Sequence, residues 1–169
     1  RALRRSMSMT RTFKDVGVEL PPMRLDELPI DGDSRPIVEY LREYPGLSEA
    51  VMASVRTGTT LSYDDQQHVA TLRAIIAEAK APNYARLITE ELRDGQIDKL
   101  VVMGYHRKAL KIVVEHLQRA KIKAELIIGD TSENDRTRIV KSFQNDPKGV
   151  RVICGNILAA GTGLTMTAA

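Results

Sequence analysis

The spacing of apolar residues predicts a helical segment followed by alternating strands and helices. Between residues 64 and 80, apolar side chains recur every three or four positions, which is the spacing of one face of a helix. Two shorter helices are predicted before it, over residues 36–44 and 47–55, and another after it, over residues 84–94. Because proline lacks a backbone N–H and crowds the preceding turn, Pro82 is predicted to separate these last two helices.

Beyond residue 95, short apolar runs alternate with amphipathic stretches. Strands are predicted over residues 99–104, 124–128 and 150–154, and the intervening helices end near Ala120 and at Asp146. Strands connected through helices in this order pair in parallel, because the crossover returns the chain to the same end of the sheet. The predicted fold class is therefore α/β, an open parallel sheet with flanking helices, preceded by a helical segment. Three strands are few for such a sheet, and we expect the chain to be truncated from a larger protein.

The chain divides into three predicted parts. Residues 1–33 show no sustained periodicity and carry five glycine or proline residues, so they are predicted to be a connecting segment. Residues 34–81 form the predicted helical segment, which is either a brace between domains or a surface for a partner. Residues 82–169 form the predicted α/β domain, which we expect to be incomplete.

Charge is distributed unevenly along the chain. The 169 residues carry a net charge of +3, and their 43% hydrophobic content is that of a globular domain. The first fourteen residues contain five basic residues and no acidic one. This asymmetry favours an anionic partner near the N-terminus, and a solvated charged terminus is the alternative.

The sequence supports neither a membrane protein nor a metal-binding protein. No apolar run reaches the roughly 18–20 residues that cross a bilayer, and the first residues lack the apolar core of a signal peptide. A soluble intracellular protein is predicted. A single cysteine, Cys154, cannot form an intramolecular disulfide, and His68, His106 and His116 do not have the spacing of zinc ligands. No metal site is expected.

Three loops follow the predicted strands, at the edge where parallel sheets bind ligands. They begin at residues 104–107, 129–132 and 155–165, and the third is rich in glycine, alanine and threonine, which lets a backbone approach a phosphate. It is not a Walker A loop, because five residues separate Gly155 from Gly161 and Thr162 stands where lysine is required. A dinucleotide fingerprint fails as well, for lack of its third glycine.

Taken together, these loops resemble the second RecA-like lobe of superfamily two helicase-type ATPases of the SWI/SNF branch. Residues 99–110 resemble that family's motif IV strand and the helix after it. Residues 128–132, with Arg136 and Phe143-Gln144, resemble its D-G-(S/T)-T-S…R…F-Q stretch, from which Ile128 and Asp130 depart.

Two further stretches carry the resemblance. Residues 156–165 resemble motif V, and they are more similar to the annealing-helicase members than to the chromatin remodellers. Near the N-terminus, Leu3-Arg4-Arg5, Asp15-Val16 and Leu20-Pro21-Pro22 are similar to the L-R-R…D-V…L-P-P junction that leaves the first lobe in this family. Residues 1–33 would then connect the two lobes.

The resemblance implies that this chain is one part of an ATP-driven motor protein. The full-length protein would be a DNA-dependent ATPase and helicase-like translocase that remodels or reanneals DNA, with ATP and Mg²⁺ as its cofactors. In the family, ATP is held by the Walker motifs of the first lobe and the arginines of motif VI, and these motifs are absent from the chain. We therefore expect the chain alone to be inactive and to bind no cofactor.

Partners and location follow from the same resemblance. The expected partners are DNA, contacted through its backbone without sequence preference, and the N-terminal RecA-like lobe of the same protein. No membrane partner is expected. The location would be the cytoplasm of a prokaryote or of a phage-infected cell, or a nucleus.

The resemblance also implies site residues, none of them catalytic. Coupling to the nucleotide cleft is predicted for Gly161, Gly163 and Thr165. Contact with the DNA backbone is predicted for His106, Arg107, Thr131, Ser132, Asn156 and Thr162. Each has a structural alternative: a turn that needs small residues in motif V, a plain helix cap at Ser132, and an exposed loop side chain at His106.

Arg136 shares a predicted helix face with apolar residues, where an unpaired charge would be costly. We expect it to pair with an acidic side chain in preference to DNA. Cys154 and His68 are expected to be packing residues.

Two other functions stay open. One is a non-catalytic nucleic-acid-binding module of RecA-like fold. The other is an RNA helicase lobe, which is disfavoured because motif V and the junction resemble the DNA branch. Aromatic residues make up only 4% of the chain, so base stacking is not an expected source of affinity.

Overall fold

The computed structural model describes residues 17, 25–161 and 166–169, which form a helical segment followed by a three-stranded α/β unit. The elements in chain order are α1 (Arg35–Glu43), α2 (Leu47–Thr57), α3 (Tyr63–Arg93), β1 (Leu100–Gly104), α4 (Arg107–Arg119), β2 (Ala124–Ile127), α5 (Glu133–Asn145), β3 (Val152–Asn156) and α6 (Ile157–Ala160). The predicted fold class is confirmed. β3 lies two residues later than predicted, so that Gly155 and Asn156 belong to the strand and not to the loop.

Side-chain hydrogen bonds cap the N-termini of α3 and α5. The Ser132 hydroxyl accepts a hydrogen bond from the Asp135 backbone N–H at 3.1 Å and donates to the Asp135 carboxylate at 2.7 Å. Ser62 makes the same pair of bonds with Asp65 at the start of α3. These caps satisfy backbone donors that have no partner inside the helix.

Helix α3 overturns the prediction that Pro82 ends a helix. α3 continues through Pro82 for 31 residues, because burial on the two turns that follow outweighs the local loss. Ala85, Ile88 and Leu92 are at most 3% exposed. An interior proline costs about 3 kcal/mol, whereas burying one Leu or Ile side chain contributes about 1.5–3 kcal/mol. The division into parts at residues 81 and 82 stays a prediction, and it falls inside a continuous helix.

The sheet has the strand order β1-β3-β2, and both pairings are parallel. Strand β3, the last strand among the described residues, is therefore central, and all five of its residues are buried. Val152 and Cys154 pack against α3 and α4 on one face. Ile153 packs against α5 on the other face. Helices thus cover both faces of the sheet, as parallel pairing requires.

The packing of α4 predicts a large effect of truncation at its centre. Leu117 is 0% exposed, so Leu117→Ala should lower the free energy of unfolding by about 2–5 kcal/mol in urea denaturation. The control is Leu158→Ala, because Leu158 is 77% exposed and its truncation should change stability by less than about 0.5 kcal/mol. Equal effects of the two substitutions would contradict the placement of Leu117 in the core.

Cys154 should be unreactive in the folded chain. Burial raises the pKa of its thiol from an ordinary 9.0 to about 12, so the reactive thiolate is scarce. We expect slow labelling by a disulfide reagent near neutral pH in buffer and fast labelling in urea. Since ionisation favours the unfolded chain, stability should be unaffected by this thiol below pH 9.0 and fall as the pH rises towards 12. Fast labelling in buffer would contradict the burial.

Candidate functional site

The three loops predicted to carry function meet at the carboxyl edge of the sheet. The register places Gly104 beside Asn156 and Ile127 beside Gly155, so the loops leave the sheet next to one another. Between them lies an open cleft of about 590 Å³. It is lined by Tyr105, Arg107, Gly129, Arg136, Asn156, Leu158 and Ala159.

Asn156 joins the first loop to the third. Its side chain is 8% exposed, and its Nδ2 donates a hydrogen bond to the Tyr105 carbonyl oxygen at 2.8 Å. Its Oδ1 accepts a hydrogen bond from the Leu158 N–H at 3.1 Å and caps α6. Asn156 therefore holds the edge together, and its contact with a DNA phosphate stays a prediction.

Arg136 joins the second loop to the third. Its guanidinium donates to the carbonyl oxygens of Thr131 at 3.0 Å and Ile128 at 3.0 Å in one loop. In the other loop it donates to Ala159 at 2.7 Å. A planar group with five N–H donors can serve carbonyls on several sides at once.

The prediction that Arg136 pairs with an acidic side chain is wrong. Within residues 25–161, its hydrogen-bond acceptors are backbone carbonyls. The turn after β2 leaves carbonyl oxygens outside the sheet ladder, and these supply the negative partial charge that a carboxylate would have supplied. The sequence signal for a buried polar role was its position on the apolar face of α5, but that position does not identify the acceptor.

Arg107 and Asp130 form an ion pair across the mouth of the cleft. Their side chains are 54% and 78% exposed, so both face solvent. His106, one position before α4, is partly buried and caps no helix with its side chain. Its ring lies edge-on to that of Tyr105, with the ring centroids 5.9 Å apart. Of the two predicted phosphate contacts in this loop, Arg107 lines the cleft and His106 does not.

The hydroxyls of the second loop have internal partners. Thr131 Oγ1 accepts a hydrogen bond from the Ile128 N–H at 2.9 Å, which fixes the turn. Ser132 caps α5, the structural alternative that the sequence left open. Contact of either hydroxyl with DNA stays a prediction.

Small residues are required by packing at the third loop. A Cβ on Gly155 would lie 2.7 Å from the Cβ of Ala160, and a Cβ on Gly161 would collide with the Ile157 carbonyl oxygen. Gly161 thus has a structural role in closing α6, and its predicted coupling to a nucleotide cleft stays a prediction. Thr162, Gly163 and Thr165 lie outside the residues that the structure describes.

Sequence reasoning missed two residues at the cleft. Tyr105 is 64% exposed and Leu158 is 77% exposed, and both line it. Tyr105 carried one signal, its position directly after a strand. Leu158 lies in the third predicted loop, but an apolar side chain there gave no signal of a particular role.

Neither a metal cluster nor a membrane span is found in the part of the chain that the structure describes. No three His, Cys, Asp or Glu side chains there are grouped as metal ligands. Across the same ranges, no helix combines the length and the apolar character needed to cross a bilayer.

The hydrogen bonds of Arg136 predict that its loss destabilises the edge. Arg136→Ala should lower the free energy of unfolding by about 2–3 kcal/mol, since three partly buried carbonyls lose a charged donor. Amide hydrogen exchange should accelerate at Leu158 and Gly161. Arg136→Lys should recover only part of the stability, because an ammonium donates from a single point.

Arg138 on the same helix is the matched control for Arg136. Its ion pairs with Glu125 and Asp135 are exposed, at 3.7 and 3.5 Å. Arg138→Ala should therefore cost less than about 1 kcal/mol. Equal losses for the two alanine variants in the same denaturation experiment would refute the role given to Arg136.

Known proteins are similar to this chain in sequence and in fold. The profile of the helicase conserved C-terminal domain matches residues 83–169. The SWI/SNF-related matrix-associated actin-dependent regulator of chromatin subfamily A-like protein 1 of Bos taurus is 31% identical over 130 residues, which are 76% of this chain and 14% of that protein. The human DNA annealing helicase and endonuclease ZRANB3 is 28% identical over 165 residues, which are 95% of this chain and 15% of that protein.

A solved structure confirms the architecture. The SWI2/SNF2 ATPase C-terminal domain of Sulfolobus solfataricus superposes with a TM-score of 0.59 at 16% identity, covering 83% of this chain and 66% of that chain. This likeness concerns the fold alone, and the chain spans only 14% and 15% of the two relatives above. The chain belongs to the helicase conserved C-terminal domain family and is a RecA-like C-terminal lobe of its SWI/SNF branch.

Proposed function

We propose that this lobe serves a DNA-dependent ATPase, a helicase-like translocase that remodels or reanneals DNA using ATP hydrolysis. The observation that carries the proposal is the joined carboxyl edge of the sheet. Arg136 fixes the second loop to the third, and Asn156 fixes the third to the first. Displacing one loop must therefore displace the others, which is the property that a motor needs when it passes motion from nucleotide to DNA.

The cleft suits a nucleic-acid backbone. Arg107 stands at its mouth with an exposed guanidinium, and a planar guanidinium matches the geometry of phosphate oxygens. Affinity for DNA should then be largely electrostatic, strongly dependent on salt and weakly dependent on sequence. The DNA-annealing function named for the human relative is consistent with this class of substrate.

ATP and Mg²⁺ would be held between this lobe and an N-terminal RecA-like lobe of the same protein. In that arrangement, the residues of the chain contribute positioning: the edge loops hold DNA while the cleft between lobes opens and closes. We propose an intracellular location, because the relatives are named for chromatin and for DNA annealing.

The 169-residue chain should hydrolyse no ATP, with or without DNA. The full-length protein should hydrolyse ATP faster when duplex, forked or single-stranded DNA is added, and a phosphate-release assay measures both. In the full-length protein, Arg107→Ala should lower DNA-stimulated turnover at limiting DNA severalfold. Arg119→Ala is the control, because Arg119 is 71% exposed at the other end of α4.

Each other outcome selects a different function. Turnover by the chain alone would reject the proposed division of labour between lobes. Absence of hydrolysis in the full-length protein would favour a non-catalytic binding module. Stimulation by RNA and not by DNA would favour an RNA helicase.

A further inference from the structure

We propose that Asp130 restrains Arg107 and thereby sets how strongly the lobe binds a nucleic-acid backbone. The inference rests on the proposed function, and it assigns a specificity-determining role to a residue with no other role at the site. Asp130 and the phosphate groups of DNA would compete for the same guanidinium. Binding then requires Arg107 to exchange one anionic partner for another.

The exposure of the pair makes this exchange feasible. Arg107 is 54% exposed and Asp130 is 78% exposed. An ion pair open to solvent contributes little, because both charges stay hydrated, so a phosphate diester can displace the carboxylate at small cost. A buried pair would instead hold Arg107 permanently.

The two partners are anchored differently. Asp130 lies in the loop whose flanking carbonyls, on Ile128 and Thr131, are held by Arg136, and the same turn is closed by the Thr131 hydroxyl. Its carboxylate is therefore kept at the rim whether or not Arg107 is paired. Arg107 is the first residue of α4, and its long side chain lines the cleft from the exposed start of that helix.

The position of Asp130 adds a second effect. A fixed carboxylate beside the cleft repels any anion that enters, while Arg107 attracts it. Asp130 therefore offsets the positive charge of Arg107 at the rim in the free lobe. A ligand gains the full attraction of Arg107 only by taking it from Asp130, which favours a polyanion such as nucleic acid over a small monoanion.

The test measures DNA binding by four chains: wild type, Asp130→Asn, Arg107→Ala and the double variant. The probe is a fluorescein-labelled duplex of about 20 base pairs, followed by anisotropy at about 50 to 200 mM KCl. Asp130→Asn should bind about threefold to tenfold more tightly than wild type at the lowest salt, the range that one exposed pair and one repulsion allow. In the Arg107→Ala background, the same change should alter affinity less than about twofold.

Asp94→Asn is the control for net charge. Asp94 is an exposed residue after α3, on the side of the sheet where β1 begins, so its neutralisation should leave affinity within about twofold of wild type. An equal gain from Asp94→Asn, or a gain from Asp130→Asn that persists without Arg107, would overturn the proposal in favour of a general charge effect.

Two outcomes separate this inference from the proposed function. If wild type binds DNA and Asp130→Asn binds with unchanged affinity, only the restraint is wrong. If none of the four chains binds DNA, the DNA-binding function itself fails. Independently of DNA, the NMR resonance of the Arg107 Nε–H should move between wild type and Asp130→Asn, and an unchanged resonance would show that the pair does not form in solution.

Discussion

Strand β3 is buried along its whole length, and the other elements take their places from that burial. A central parallel strand has neighbours on both edges and must be covered on both faces. α3 and α4 cover one face through Val152 and Cys154, and α5 covers the other through Ile153. Because the strand's last residue is Asn156, the same burial fixes where the loops of the carboxyl edge begin.

The carboxyl edge of the sheet is where this packing brings the candidate site residues together. Parallel strands end at the same side of the sheet, so three loops that are distant in sequence start side by side. Two polar side chains then bind them into one unit, Asn156 through the Tyr105 carbonyl and Arg136 through carbonyls of both neighbouring loops. Both are satisfied by backbone groups, which explains how a guanidinium and an amide are tolerated so close to the core.

Helix α3 connects the helical segment to the α/β unit without interruption. Its 31 residues span about 46 Å at 1.5 Å per residue. Its first half carries α1, where the Tyr40 hydroxyl lies 2.9 Å from His68 Nδ1. Its second half packs along α4, and Lys108 Nζ of α4 forms an ion pair with Glu78 Oε2 of α3 at 2.6 Å. The helical segment and α4 therefore contact the same continuous helix, α3. A brace between domains requires such a rigid connection, so the structure favours a brace over a detached docking surface.

The sequence by itself determined the features that depend on neighbouring residues. Capping of α5 by Ser132 needs only Asp135, one helical turn away, and the alternation of strands and helices follows from periodicity. Tertiary structure decided the continuity of α3 through Pro82, where burial against α4 outweighs propensity. It also decided the partners of the site: Arg136 meets Ala159 across 23 residues, Asn156 meets Tyr105 across 51, and Arg107 meets Asp130 across 23. A local pattern shows that a polar group needs a partner, but only the packing of the whole chain brings a particular acceptor within hydrogen-bond distance.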